Sequence, residues 1–185
     1  MALSLITRLA AFVGFGMLLA GCCANNVCDC PNEAQADAIR IVFDSTKYQI
    51  RSELDTLVLV RSLRPDRKKQ SALLPKPETA ILIRPAKQAY APIIISNTAP
   101  FSQFGSARLD TFTYTVRYYP ESNQKLRPSK RALKVDSVRL SGSFEGNGCC
   151  TCYANSRKLA FFKDTLAGPS RINLKDKPAI IITRP

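Results

Sequence analysis

Read as hydrophobic and polar positions, the chain is a series of short apolar runs divided by turn-forming residues. The runs are AIRIVFD (38–44), TLVLVRSL (56–63), TAILIRP (79–85), PIIISN (92–97), FTYTVRYY (112–119), VDSVRLSGSFE (135–145), KLAFFKDT (158–165) and the closing PAIIITRP (178–185). They are rich in Val, Ile, Thr, Phe and Tyr, residues that suit a pleated, half-buried surface. Two alternate with period two. Phe112, Tyr114, Val116 and Tyr118 share one face, with Thr113, Thr115 and Arg117 on the other; Val138, Leu140 and Phe144 share a face, with Arg139, Ser141, Ser143 and Glu145 opposite. Such alternation predicts antiparallel strands with one face in a core. Prolines 65, 75, 77, 85, 92, 100, 120 and 128 fall at the ends of runs, where no ladder hydrogen bond is lost. Apart from NEAQADAIR (32–40), no segment holds a helical period beyond about two turns. Asn147-Gly148 is a favoured hairpin pair because both residues tolerate positive φ. It would fold the strand 135–145 back onto a short strand from Cys149 to about Tyr153. The expectation is an all-β domain: an antiparallel β-sandwich, immunoglobulin-like, or a small barrel, of about seven to nine strands.

The N-terminus follows a different pattern. Arg8 is the one charge in residues 1–21, and the apolar run from Leu9 to Ala20 is too short to cross a bilayer. It suits the core of a secretory signal, ending in small residues. The sequence LAGC at Leu19 to Cys22 then resembles the lipobox of bacterial lipoproteins. That resemblance implies cleavage before Cys22, acylation of its sulfur and of the new N-terminus, and a membrane anchor; beyond this covalent lipid no cofactor is expected. Two or more acyl chains hold a protein stably where one does so marginally. In that family Asp after the lipidated Cys often retains the protein in the inner membrane. Position 23 is Cys, so the resemblance implies the outer membrane, facing either the periplasm or the exterior. The expected organisation is a signal peptide over 1–21, a lipidated cysteine-bearing tether over 22–37 and one β-rich domain over 38–185. Residues 22–185 number 164, ample for a single core.

Composition narrows the chemistry. The chain has no histidine, which removes Ser-His-Asp and Cys-His nucleophiles, His-containing zinc sites and histidine pH switches. No glycine-rich phosphate loop and no GxSxG elbow occurs. The expectation is therefore a non-enzyme; a hydrolase without histidine would have to be housed in the loops 64–78 and 120–134.

Seven cysteines are present. With Cys22 assigned to lipid, six remain: Cys23, Cys28, Cys30, Cys149, Cys150 and Cys152. Outside the cytoplasm disulfides are the ordinary fate of such residues. Alternate side chains of a strand share a face, so Cys150 and Cys152 would point together, as would Cys28 and Cys30 in an extended tether. The preferred pairing joins these two pairs, in either order, and leaves Cys23 and Cys149 to pair or stay free. Six cysteines allow 15 connectivities, so the order stays open. The alternatives are a thiolate metal set of Cys28, Cys30, Cys150 and Cys152, or a reactive redox thiol near Arg157 and Lys158. The metal set has one residue between paired ligands where two to four are usual, and no Cys-x-x-Cys pair is present. CDCP near the lipobox and GNGCCTCYANSRK (146–158) together resemble a pattern recurrent in uncharacterised bacterial envelope lipoproteins. This implies that the two cysteine-bearing ends belong together and implies no activity.

The formal net charge is +13, and +12 without Arg8. Two basic stretches carry much of it. RSLRPDRKK holds Arg61, Arg64, Arg67, Lys68 and Lys69 against Asp66; KLRPSKRALK holds Lys125, Arg127, Lys130, Arg131 and Lys134 with no acid. Both read as loops, and solvated loops often carry charge with no partner. The functional expectation is a basic surface for anionic envelope lipid, polysaccharide or peptidoglycan, with no nucleic acid in that compartment. Tyr118, Tyr119 and Tyr153 are candidates for carbohydrate stacking, although most such aromatics fill cores. Together these readings describe a membrane-anchored envelope lipoprotein whose disulfide-clamped domain binds or scaffolds without catalysis. The second expectation is a cysteine-rich thiol redox or metal-binding envelope protein.

Overall fold

The computed structural model describes residues 28, 30, 36–49, 53–64, 76–102, 108–120, 128–147, 150–164 and 168–184. Among these lie nine strands: β1 Ala38–Phe43, β2 Thr56–Leu63, β3 Glu78–Ile83, β4 Ile93–Ser96, β5 Phe112–Tyr118, β6 Lys130–Asn147, β7 Cys150–Asp164, β8 Gly168–Asn173 and β9 Ile180–Ile182. They form two sheets. One has three strands in the order β4-β1-β9; the other has six in the order β3-β2-β5-β6-β7-β8. Each order has two ends, so neither sheet closes on itself and the arrangement is a sandwich rather than a barrel.

Side-chain alternation explains the two layers. In β1, Ile39, Ile41 and Phe43 are buried while Arg40 and Val42 lie on the other face. β1 pairs antiparallel with β4 and parallel with β9, setting Ile41 beside both Ile93 and Ile180. From the larger sheet, β5 buries Phe112, Tyr114, Val116 and Tyr118, as its period-two pattern predicts. Leu57 and Leu59 of β2, Leu133, Val135 and Val138 of β6 and Ala160 of β7 join them. All these side chains belong to one hydrophobic cluster with those of the smaller sheet. Fully burying a side chain of this size contributes about 1.5–3 kcal/mol. Tyr114 is buried with a partner for its polar end, donating its hydroxyl to the Leu109 carbonyl at 3.0 Å.

The strands differ from the sequence reading in several places. β6 starts at Lys130, earlier than expected, and its register against β5 shifts between Val116 and Arg117, where Ala132 and Leu133 are both buried. Residues 150–153 and 158–164, read as two runs, are parts of one 15-residue strand, β7. β8 has little apolar pattern, and it takes the outer edge of the six-stranded sheet, where Pro169 is tolerated. Residues 38–40, the end of the one helical-period segment, are strand.

Two residues separate β6 from β7, and the strands are neighbours in the sheet. So short a connection permits only an antiparallel hairpin. The chain divides into two compact units. The first comprises Met1–Glu33 with Ser143–Ala154; the second comprises Ala34–Gly142 with Asn155–Pro185 and holds the hydrophobic cluster.

Candidate functional site

The first unit is organised by its cysteines. Cys150 and Cys152 stand two apart in β7 and share a face. Cys28 is bonded to Cys150, and Cys30 to Cys152, with Cα–Cα distances of 5.5 and 5.4 Å. Both bridges span the same sequence separation, 122 residues, so the chain from 28 to 30 advances in the same direction as β7. The four sulfurs that the sequence also offers as a thiolate metal set are thus bonded to one another. Among the described residues, no group of three or more Cys, Asp or Glu is arranged to hold a metal ion. Cys22, Cys23 and Cys149 lie outside the described residues.

Beside the bridges, Phe144 and Tyr153 stack edge to face with ring centroids 5.4 Å apart. Phe144 is 68% exposed. Its run shares a face with Val138 and Leu140, yet Ser143, Phe144, Glu145 and Gly146 are all exposed. The alternation therefore persists beyond the core it predicts.

The second unit holds the described basic candidates. Arg61 is 3% exposed and lies in the core rather than in a loop. It belongs to β2, two residues on from buried Leu59, and the pleat turns it inward. Its guanidinium donates to Glu78 at 2.6 Å and to the Ser102 carbonyl at 2.7 Å. It also lies over the rings of Phe101 and Phe112, at 4.9 and 4.5 Å from their centroids. That environment makes Arg61 a structural cation, closed to an external anion. Arg64 donates to the Asp110 carbonyl at 3.2 Å. Lys134 pairs with Asp136 at 2.8 Å. Lys130 and Arg131 are exposed at the start of β6. Arg67, Lys68, Lys69, Lys125 and Arg127 lie outside the described residues.

One cation was missed by the sequence reading. Arg117 sits directly across from Arg131 in the β5–β6 ladder, a like-charge pairing that disfavours the sheet. Ser129 holds Arg117 by two hydrogen bonds, Nε to the hydroxyl at 2.9 Å and Nη2 to the carbonyl at 2.5 Å. The signal was available: Arg117 lies on the outward, threonine-bearing parity of β5.

A second polar cluster in this unit is built on Glu53 and Arg184. Glu53, 5% exposed, accepts from Arg184 at 2.7 Å and from the Gln49 amide at 2.9 Å. Arg184 lies over the rings of Tyr48 and Tyr118 at 4.4 and 5.4 Å, and burial pushes the Tyr48 phenol above its ordinary value. Tyr118, offered by the sequence as a stacking surface, is buried here against Phe43 and Tyr48. These contacts pin the residues after β9 to the domain.

Compared with known proteins, the chain matches no family model, no curated protein sequence and no solved structure.

Proposed function

We propose that the protein is a lipid-anchored envelope lipoprotein of the outer membrane, whose disulfide-clamped β-sandwich binds or scaffolds anionic envelope components without catalysis. The observation that carries this reading is the pair of bridges from Cys28 and Cys30 to Cys150 and Cys152. Structural disulfides belong to oxidising compartments. Cys28 and Cys30 lie a few residues beyond LAGC at Leu19 to Cys22, and each feature supports the other. The basic surface in this proposal is the group of Lys130, Arg131 and Arg117, where like charges face each other across two strands. An anion bridging them, such as a lipid phosphate, a sugar acid or a peptidoglycan carboxylate, would relieve that repulsion.

The test is mass spectrometry of membrane-extracted protein, alkylated before unfolding and digested without reduction. The expected outcome is lipid on Cys22 and both bridges intact. An unmodified Cys22 would overturn the anchor; alkylated Cys28, Cys30, Cys150 and Cys152 would overturn the clamp and favour thiol or metal chemistry at those four residues.

A further inference from the structure

We propose that the β6–β7 hairpin tip is a membrane-contacting element, with Phe144 and Tyr153 seated in the headgroup region of the bilayer that anchors the protein. The inference rests on the lipoprotein reading above and adds an interaction surface to it.

Chain length is the first argument. From Cys22 to Cys28 there are six residue steps, at most about 21 Å when fully extended. The Cys28–Cys150 bridge adds a Cα–Cα distance of 5.5 Å. The start of β7 therefore stays within about 27 Å of the lipidated residue, however the intervening chain is arranged. Among the described residues, the next tie to the sandwich after the bridges is at Ala36, whose carbonyl accepts from Asn155, and the same reasoning allows about 49 Å to it. The bridges roughly halve the reach, and what they hold near the bilayer is the hairpin tip.

The tip's chemistry is the second argument. Phe144 is 68% exposed although it is large and apolar, and its ring is braced edge-on by Tyr153. An apolar ring beside a phenol suits the membrane–water interface, where aromatic belts gather. A side chain at Gly146 would meet nothing within 4 Å among the described residues, so the tip is open there. Of residues 143–147 and 150–154, only Glu145 is charged, so attraction to anionic lipid plays no part. Two rings alone would bind a bilayer weakly. On a tether of this length the encounter is intramolecular, and a weak preference suffices because the effective concentration is high.

The chain has no tryptophan, so Phe144→Trp introduces a single tryptophan, selectively excited at the red edge of the absorption band, at the tip. The acylated full-length variant would be placed in phosphatidylcholine vesicles containing lipids brominated near the headgroup. Ile83→Trp, at a residue 82% exposed on β3, is the reference. The expected result is blue-shifted emission at position 144, quenched at least about twofold more than at 83, in low and high salt alike. Reducing the bridges should abolish the difference. Equal quenching at 144 and 83 in acylated, vesicle-bound protein would overturn the inference and leave the anchor intact. Differential quenching that survives reduction would overturn it too. Protein that carries no lipid and does not float with vesicles would sink the anchor reading, and this inference with it.

Discussion

If either bridge is removed, the other still closes nearly the same loop, so the two deletions must be far from additive. In the chain-entropy description, a disulfide destabilises the unfolded state according to the length of loop it closes. Cys28–Cys150 closes a separation of 122 residues, for which the relation gives about 5 kcal/mol at 25 °C. Once it is in place, Cys30–Cys152 closes only the small ring through residues 28–30 and 150–152, worth about 2 kcal/mol. The same holds with the bridges exchanged. Removing either pair by Cys→Ser substitution should therefore cost about 2 kcal/mol, and removing all four cysteines about 7 kcal/mol. Equilibrium unfolding in urea measures all three variants. A second readout comes from the slope. Only the fourfold variant opens the long loop, so only there should the unfolded chain expand and the m-value rise. Should the fourfold loss equal the sum of the two pairwise losses within about 0.5 kcal/mol, the shared-loop reasoning is wrong.

Three further outcomes are expected. Tyr114→Phe removes the hydrogen bond to the Leu109 carbonyl and should cost about 1 kcal/mol by urea unfolding. Burial raises the Tyr114 phenol in the folded state, so stability is present below the unfolded value of 10.0 and is lost as pH rises beyond it; the Phe variant should show a shallower alkaline decline. Glu78→Ala strands the buried Arg61 charge and should cost about 3 kcal/mol, whereas Arg61→Met should cost less because Glu78, 39% exposed, can turn to water; the reverse order would refute the assignment of Arg61 as the desolvated partner. Lys130→Ala with Arg131→Ala should weaken binding of the unlipidated domain to anionic vesicles by about 2 kcal/mol, roughly 30-fold, measured by sedimentation at low salt; unchanged binding would remove these residues from the proposed surface.

Where one face of a strand is buried, its parity is written in the sequence. β2 and β5 show this: Leu57 and Leu59, and Phe112 to Tyr118 at alternate positions, all enter the core. The pairing of Cys28 and Cys30 with Cys150 and Cys152 followed from the same parity, though its order did not. Other elements leave no such trace. β8 is GPSRIN at a sheet edge, where a strand is held by its one neighbour and needs little apolar content. The outer reach of β6, Ser141 to Gly146, is exposed at every residue, so pairing extends it without any burial signal. Nor does the sequence reveal that Phe144 outlasts the core its alternation belongs to, because parity gives the face and not what covers it.

Charge runs mislead for a related reason. RSLRPDRKK reads as one basic loop, but its first three residues complete β2, and alternation carries Arg61 into the interior. Of the described candidates, Arg64 and Lys134 have partners within the fold, and Lys130 and Arg131 remain exposed. The same alternation carries Arg117, which belongs to no basic run, to the position opposite Arg131. A basic surface on a β-sandwich is thus assembled across strands, by register, rather than along the chain. That assembly also separates the two contacts proposed here by their physics. The cations should hold anionic partners with an affinity that falls as salt rises. The tip, whose rings bear no charge, should hold a zwitterionic interface with an affinity that does not. Titrating salt against both vesicle types tells the two surfaces apart on one protein.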